Sequence, residues 1–414
     1  MLTGLKRLLK RSKKLYLKLG PVFATYRNSV ISLSRGLGGI NYNEVVFSSF
    51  NHQAYNDNPR YISEALHALR PQTEIVWLFA YPENAKKYDI PDYVRVVCAT
   101  SARGMAHLAR ARVVVDNFNK RFYLKFPGKN QIYIQTWHGD RAFKKVGYDN
   151  PNGLNCGIEE KASLFICGSE YGEMQIHSAF HYHGEIMKVG YPRNDILLRN
   201  DPAEARAIRQ RLGIDEDMRL LMYAPTFRDV DFRHNCVQRA HLELGHVLDT
   251  LETATGARWK CLVRAHYMSK GIDAADDARL IQVSDYPEMG ELLLISDALI
   301  TDYSSCAGDY ALLRRPIFLY QDDLEDYTGN NRALYFDMKD SPYWVADTPE
   351  AMDALIMRCT PEAARENCDA ILKFYGEAET GHAAQSVAQY IADKLERVHT
   401  IDNKEISGIM ETCR

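Results

Sequence analysis

Val113-Val114-Val115 and Ile132-Tyr133-Ile134, the second running straight into Gln135-Thr136-Trp137-His138-Gly139, decide the fold. Each is a short apolar run bounded by polar or turn-forming residues, the pattern of a strand buried on both faces. Outward from them the pattern repeats at Val45-Val46-Phe47, Ile75-Val76-Trp77-Leu78-Phe79, Val94-Arg95-Val96-Val97 and Leu164-Phe165-Ile166, with helix-like stretches such as 59–69 and 102–111 between. Strand and helix in alternation predict a parallel sheet covered on both sides. A second series begins at Leu220-Leu221-Met222-Tyr223 and continues through Cys261-Leu262-Val263, Leu280-Ile281-Gln282-Val283, Ala298-Leu299-Ile300 and Ile317-Phe318-Leu319-Tyr320. The polar helical stretch 201–212 separates the two. The expected architecture is α/β, with two doubly wound lobes, 41–200 and 201–414, facing across a cleft that receives ligand at the carboxyl ends of the strands. The helical tail from residue 349 can pack on either lobe.

At 414 residues, 46% hydrophobic and 25% charged, the chain is long enough for both cores. Disorder, collagen and a small disulfide-stapled fold are excluded. Its net charge of −3 argues against a nucleic-acid partner. Residues 1–40, however, hold nine basic residues and no acidic one, so the other 42 cations face all 54 carboxylates. Leu2, Leu5, Leu9, Tyr16 and Leu19 recur there at helical spacing. Such a basic amphipathic helix can lie on an anionic membrane surface or dock on a partner, and charges interrupt it too often for a secretory signal. No later stretch reaches the length of an apolar membrane span. The nine cysteines include no Cys-x-x-Cys pair and sit partly in strand-like runs. They read as buried thiols in a reducing compartment.

Four places could carry chemistry. His138 ends a strand and precedes a glycine, where α/β proteins place working groups, though a hydrogen-bonded turn histidine looks the same. Arg264 and His266 follow a strand of the second lobe and alternate onto one side. In Thr301-Asp302-Tyr303-Ser304-Ser305, followed by Asp309 and Arg315, Ser304 is a candidate N-cap whose helix terminus suits a diphosphate, with Asp309 placed to accept from ribose. It is not a P-loop. Thr226 and Arg228, in Tyr223-Ala224-Pro225-Thr226-Phe227-Arg228-Asp229, could reach a phosphate, or Arg228 could simply pair with Asp229. His177, His181 and His183 have metal-like spacing but lie among aromatic residues, and Asp322-Asp323-Leu324-Glu325-Asp326 reads as a solvent-facing loop, so no metal site is assigned.

Together these motifs resemble the CDP-glycerol glycerophosphotransferase family: teichoic-acid primases, polymerases and relatives in capsule synthesis. The matching pieces are Asn58-Pro59-Arg60-Tyr61-Ile62, 135–139, Gly190-Tyr191-Pro192-Arg193-Asn194-Asp195, 223–229, and 296–316 with Tyr320, in family order over about 45–330. The resemblance implies a GT-B fold and attack of an acceptor hydroxyl on the β-phosphorus of a CDP-alditol, releasing CMP. His138 would be the base and His266 would hold the reacting phosphate. Thr226, Arg228, Arg264, Thr301, Ser304, Ser305, Asp309 and Arg315 would bind the donor, with Trp137, Gly139 and Lys144 on the acceptor side. No cofactor is implied, with Mg2+ at most a weak enhancer. Expected partners are the CDP-alditol, a lipid-linked or glycan acceptor and an anionic membrane reached through 1–40, at the cytoplasmic face of a bacterial plasma membrane. Glycerol is the expected alditol; ribitol and other polyols stay open. Two departures flank the chemistry. The family usually continues Thr-Pro-Leu-Lys after His-Gly where this chain has Asp140-Arg141-Ala142-Phe143-Lys144-Lys145, and Tyr267 replaces the proline common after the second histidine. A GT-B glycosyltransferase using a nucleotide sugar, or an inert scaffold, would share the lobes without needing both histidines.

Overall fold

The computed structural model describes residues 13–118, 126–150, 161–226, 238–265, 272–273, 277–330 and 332–396. The first lobe is a seven-stranded parallel sheet of β1 (Asn41–Ser48), β2 (Glu74–Phe79), β3 (Val94–Cys98), β4 (Ala111–Asp116), β5 (Ile132–Gln135), β6 (Leu164–Cys167) and β7 (Glu185–Lys188), ordered β3-β2-β1-β4-β5-β6-β7. The second holds β8 (Arg219–Tyr223), β9 (Trp259–Val263), β10 (Leu280–Gln282), β11 (Ala298–Thr301), β12 (Ile317–Tyr320) and β13 (Val345–Ala346), ordered β10-β9-β8-β11-β12-β13 and again parallel. Both sheets therefore start from the same order, 3-2-1-4-5-6 counted within each lobe. The connection reverses direction beside β1 and β4 in one and beside β8 and β11 in the other, opening a crevice at each point.

Period-two alternation splits each strand between two cores. In the first lobe Val45, Phe47, Trp77, Val113 and Val115 face one side, where Val387, Ile391 and Leu395 cover them. Val46, Val76, Leu78 and Val114 face the other, covered by Leu108 of α3 (Ala102–Arg110) and Ile31 of α1 (Lys13–Gly38). Between these helices in sequence lies α2 (Asp57–Leu69). Ser101 starts α3 by accepting from the Gly104 N–H at 3.0 Å, and Gly104 is required there because a Cβ would stand 2.1 Å from the Cys98 carbonyl oxygen.

Two expectations about boundaries are corrected. The 1–40 segment is not a separate appendage over its second half: Ile31 is fully buried, a burial worth about 2 kcal/mol, and Arg35 donates to the Gln131 side chain at 2.8 Å. Leu2, Leu5 and Leu9 lie outside the described residues. Nor does 201–414 belong wholly to the second lobe. Helices Pro349–Arg358 and Pro361–Tyr375 pack there, but the helix spanning 383–396 crosses back to cover the first sheet. It does so because Val387, Ala388, Ile391, Ala392 and Leu395 form an apolar stripe that only that sheet face is left to bury. Among the described residues, no helix is long and apolar enough to cross a membrane. Cys167, Cys261, Cys306 and Cys368 are buried free thiols, as read; Cys98 and Cys359 are half-buried, and 156, 236 and 413 are outside the described residues.

Candidate active site

His138 stands directly after β5, beside the first lobe's crevice. Its turn is built on Trp137, whose φ of 52° is a left-handed conformation that costs a non-glycine residue of order 1–3 kcal/mol. Surrounding groups hold it. The Trp137 N–H donates to Gln135 Oε1 at 2.9 Å, its carbonyl accepts from Asn58 Nδ2 at 3.3 Å, and its ring stands edge-on to Phe180. The His138 carbonyl accepts from Arg193 at 2.8 Å.

The imidazole is oriented from below. Nδ1 lies 2.7 Å from the Asn117 carbonyl oxygen, which can only accept, so Nδ1 carries the proton and Nε2 the lone pair. Phe118, Phe50 and Trp137 surround the ring. Burial pushes the His138 pKa below its ordinary 6.5, against the opposing pull of the Asn117 carbonyl and the Asp57 carboxylate. The result is a neutral imidazole at pH 7, a base suited to an alcohol.

Gly139 brings the lobes together, since a Cβ there would lie 3.2 Å from Ser305 Oγ. Behind this contact is a buried cluster. Arg141, fully buried, donates to Asp309 Oδ1 and Glu379 Oε1, each at 3.2 Å, and to the Gly168 carbonyl at 3.0 Å. Arg193 reaches Asp57 at 3.0 Å with one nitrogen and Asp309 at 2.9 Å with the other. Asn194 Nδ2 donates to Asp309 at 3.1 Å and Glu379 at 2.7 Å. Burial raises the Glu379 pKa to about 7, with Arg141 opposing, and raises that of Asp140 as well. Farther along the seam the N–H of Asp57, opening α2, donates to Glu288 of the second lobe at 3.2 Å, and Arg60 reaches the same carboxylate at 3.1 Å.

Several sequence-derived donor residues take other places. Asp309 is drawn inward, where Arg141, Arg193 and Asn194 occupy both its oxygens, so the expected ribose contact is corrected to an ion-pair role. Thr301 donates to the Ala224 carbonyl at 2.7 Å, closing β11 onto the end of β8. Thr226 gives its N–H and hydroxyl to Asp302, the N–H at 2.8 Å. Arg315 precedes β12 and so sits at the wrong end of the sheet, donating to the Leu294 and Ser296 carbonyls at 2.6 Å. Arg264 does stand at the carboxyl end of β9, but it donates to the carbonyls of Val283 at 3.3 Å and Tyr286 at 2.8 Å. Lys144 forms a β-bridge with Leu334, and the neighbouring Lys145 N–H donates to the Ala333 carbonyl, a second stitch between lobes. Ser304 and Ser305 remain at the seam. The helix there spans only Cys306–Tyr310; Ser305 stands at its N-cap position without a capping bond from its side chain, and it is the Ser304 hydroxyl that accepts from the Cys306 N–H, at 3.4 Å. His266 and Arg228 lie outside the described residues.

Arg141, Arg193, Asn194, Asp57, Asn58, Asn117 and Glu379 had no assigned role in the sequence. Asn58, Arg193 and Asn194 stood inside motifs already singled out. Glu379 carried no signal. Of the metal-like patterns, His177 Nδ1 is bonded to the Tyr182 carbonyl at 2.7 Å and His181 stacks on Tyr148. Among the described residues one group, His241, Asp322 and Asp323, brings three ligand atoms within 4.8 Å of one another.

Two lobes of dinucleotide-fold order, the helix 383–396 returning to the first, and a half-buried neutral histidine where they meet define a GT-B-type transferase fold. Residues 30–393 match CDP-glycerol:poly(glycerophosphate) glycerophosphotransferase, and the chain belongs to that family. A teichoic acid glycerol-phosphate transferase of Staphylococcus aureus is 32% identical over 375 residues, covering 85% of this chain and 93% of that protein. A teichoic acid poly(glycerol phosphate) polymerase of Staphylococcus epidermidis is 31% identical over 371 residues, 84% of this chain, which spans only 50% of that relative's length. The structure of the wall teichoic acid polymerase TagF superposes with a TM-score of 0.77 at 27% identity over 96% of this chain and 99% of its own; a CDPG-soaked variant gives 0.78 at 28% identity over 96% and 99%.

Proposed function

We propose that this chain transfers glycerol phosphate from CDP-glycerol to a hydroxyl of a lipid-linked or glycan acceptor in the synthesis of a teichoic-acid-type or capsule polymer. The observation that carries the reading is His138: a neutral imidazole at the lobe seam, anchored through Nδ1 so that Nε2 is the basic atom. The acceptor hydroxyl gives its proton to Nε2 as its oxygen bonds to the glycerol-bearing phosphorus. The bond from that phosphorus to the bridging oxygen breaks, and CMP leaves with the electron pair. Such a transfer asks the protein mainly for placement and for stabilisation of oxygen charge. Ser305, whose hydroxyl lies against Gly139, and its neighbour Ser304 offer donor-side hydroxyls beside the histidine turn, and Trp137 and Gly139 shape its acceptor side. No cofactor is needed in this scheme, with Mg2+ at most an enhancer.

The chain works at the inner membrane surface in this reading. On α1 the exposed Val22, Tyr26, Leu33 and Leu37 fall within about 60° of arc at 100° per residue, opposite the docked Ile31. An apolar stripe beside many cations suits insertion among anionic headgroups. Leu33→Glu with Leu37→Glu should abolish sedimentation with anionic liposomes; retained binding would remove this part of the proposal.

The test of the reaction is CMP release from CDP-glycerol and CDP-ribitol, supplied separately with a lipid-linked acceptor, by the wild type and His138→Ala. Release from CDP-glycerol that the variant loses is expected. No release from either donor, under conditions where a nucleotide sugar is consumed, overturns it.

A further inference from the structure

Arg193 lies where separate stretches of sequence meet. Its N–H donates to Asn58 Oδ1 at 3.1 Å, and the same Asn58 holds the Trp137 carbonyl. Its guanidinium packs 5.3 Å from the centre of the Tyr191 ring and is almost wholly enclosed. One nitrogen serves both the His138 carbonyl and Asp57 in the first lobe, while the other serves Asp309 in the second.

We propose that Arg193 is a positioning residue for the transfer, fixing the backbone of His138 against the donor lobe through its fork of nitrogens. The inference rests on His138 being the base. Trp137 holds a left-handed conformation that costs a non-glycine residue; its carbonyl accepts from its neighbour Thr136 at 3.1 Å as well as from Asn58, whereas the donor that the His138 carbonyl receives comes from Arg193. A base displaced by 1 Å loses about 10²-fold in rate. Only a planar fork spans both partners; an ammonium presents one nitrogen. The charged groups facing the imidazole are Asp57 at the start of α2, Arg193, and Arg332 from the second lobe.

The test is steady-state CMP release from CDP-glycerol as a function of pH by the wild type, Arg193→Lys, Arg193→Met and Asp57→Asn, each with a melting curve. Arg193→Met should lose about 10²-fold in kcat with donor KM unchanged. Its acid limb should move to higher pH, because removing a facing cation eases protonation of the imidazole. Arg193→Lys should lose kcat while keeping the limb in place, since charge survives and the fork does not. Asp57→Asn, informative even if Arg193→Met fails to fold, should move the limb to lower pH. Wild-type kcat in Arg193→Met, or a loss confined to melting temperature and KM with the limb unmoved, overturns the inference. CMP release retained in His138→Ala instead overturns the underlying reading of the base.

Discussion

The two lobes share a strand order, yet they use the ends of their strands differently. At the first crevice the polar groups reach outward. Asn117, just past β4, holds the His138 ring through its carbonyl and Asp57 through its side chain at 3.2 Å, and Asp57 and Arg193 continue across the seam. At the second crevice two of the described residues close inward, Thr301 on Ala224 and Thr226 on Asp302, within the lobe. Equal topology therefore supplies two rigid rims, and the side chains decide which rim presents a reactive group and which presents a surface for ligand.

This contrast can be broken by experiment. The largest effect belongs to the reactive rim: His138→Gln should lower CMP release by about 10²–10⁴-fold with melting unchanged, and a loss under tenfold would remove the base from that rim. Next comes the seam. Arg141→Met leaves Glu379 in the interior without its cation and takes one of two cations from Asp309, and should cost about 3–5 kcal/mol in urea unfolding. Arg315→Met, at the far end of the second sheet, should cost clearly less; equal costs would mean that the seam cluster has no special standing. Replacing Ser304 and Ser305 together by alanine should raise donor KM by about tenfold, one to two hydrogen bonds' worth, with kcat nearly intact. Smallest is the pH response. The base must be neutral, and burial lowers its pKa, so the rising limb of kcat/KM should fall below pH 6.5 and the rate should be flat from there to pH 7. A limb centred at or above 6.5 would mean that the ring is more open to water than its packing indicates.

The lobes were legible because their signal is local. Val113-Val114-Val115 can be read as a buried strand without knowing its neighbours, and the division at the polar stretch 201–212 follows from its lying between two such series. The place of His138 past a strand end was legible because a strand end followed by glycine is also a local pattern. Arg141, Arg193 and Glu379 were not, since their meaning lies in meeting Asp309 and Asn194 from stretches more than a hundred residues away. Asp309 and Arg315 misled for the matching reason. A carboxylate one turn into a helix and an arginine beside a strand look available in sequence, and only packing reveals that protein groups already engage them. The return of 383–396 to the first lobe was equally hidden, because an apolar helical stripe does not name its sheet.

That return ties the chain to itself. Asp195, where the backbone leaves the first lobe, accepts from the N–H groups of Ala383 and Ala384, where it comes back, at 2.9 and 2.8 Å. The outgoing and incoming strands of backbone are thus riveted side by side, and the second lobe is in effect an insert hung in a loop of the first. Any opening of the cleft would swing about that rivet as a door does on one pin, and it would have to part Arg193 from Asp309 and Arg60 from Glu288.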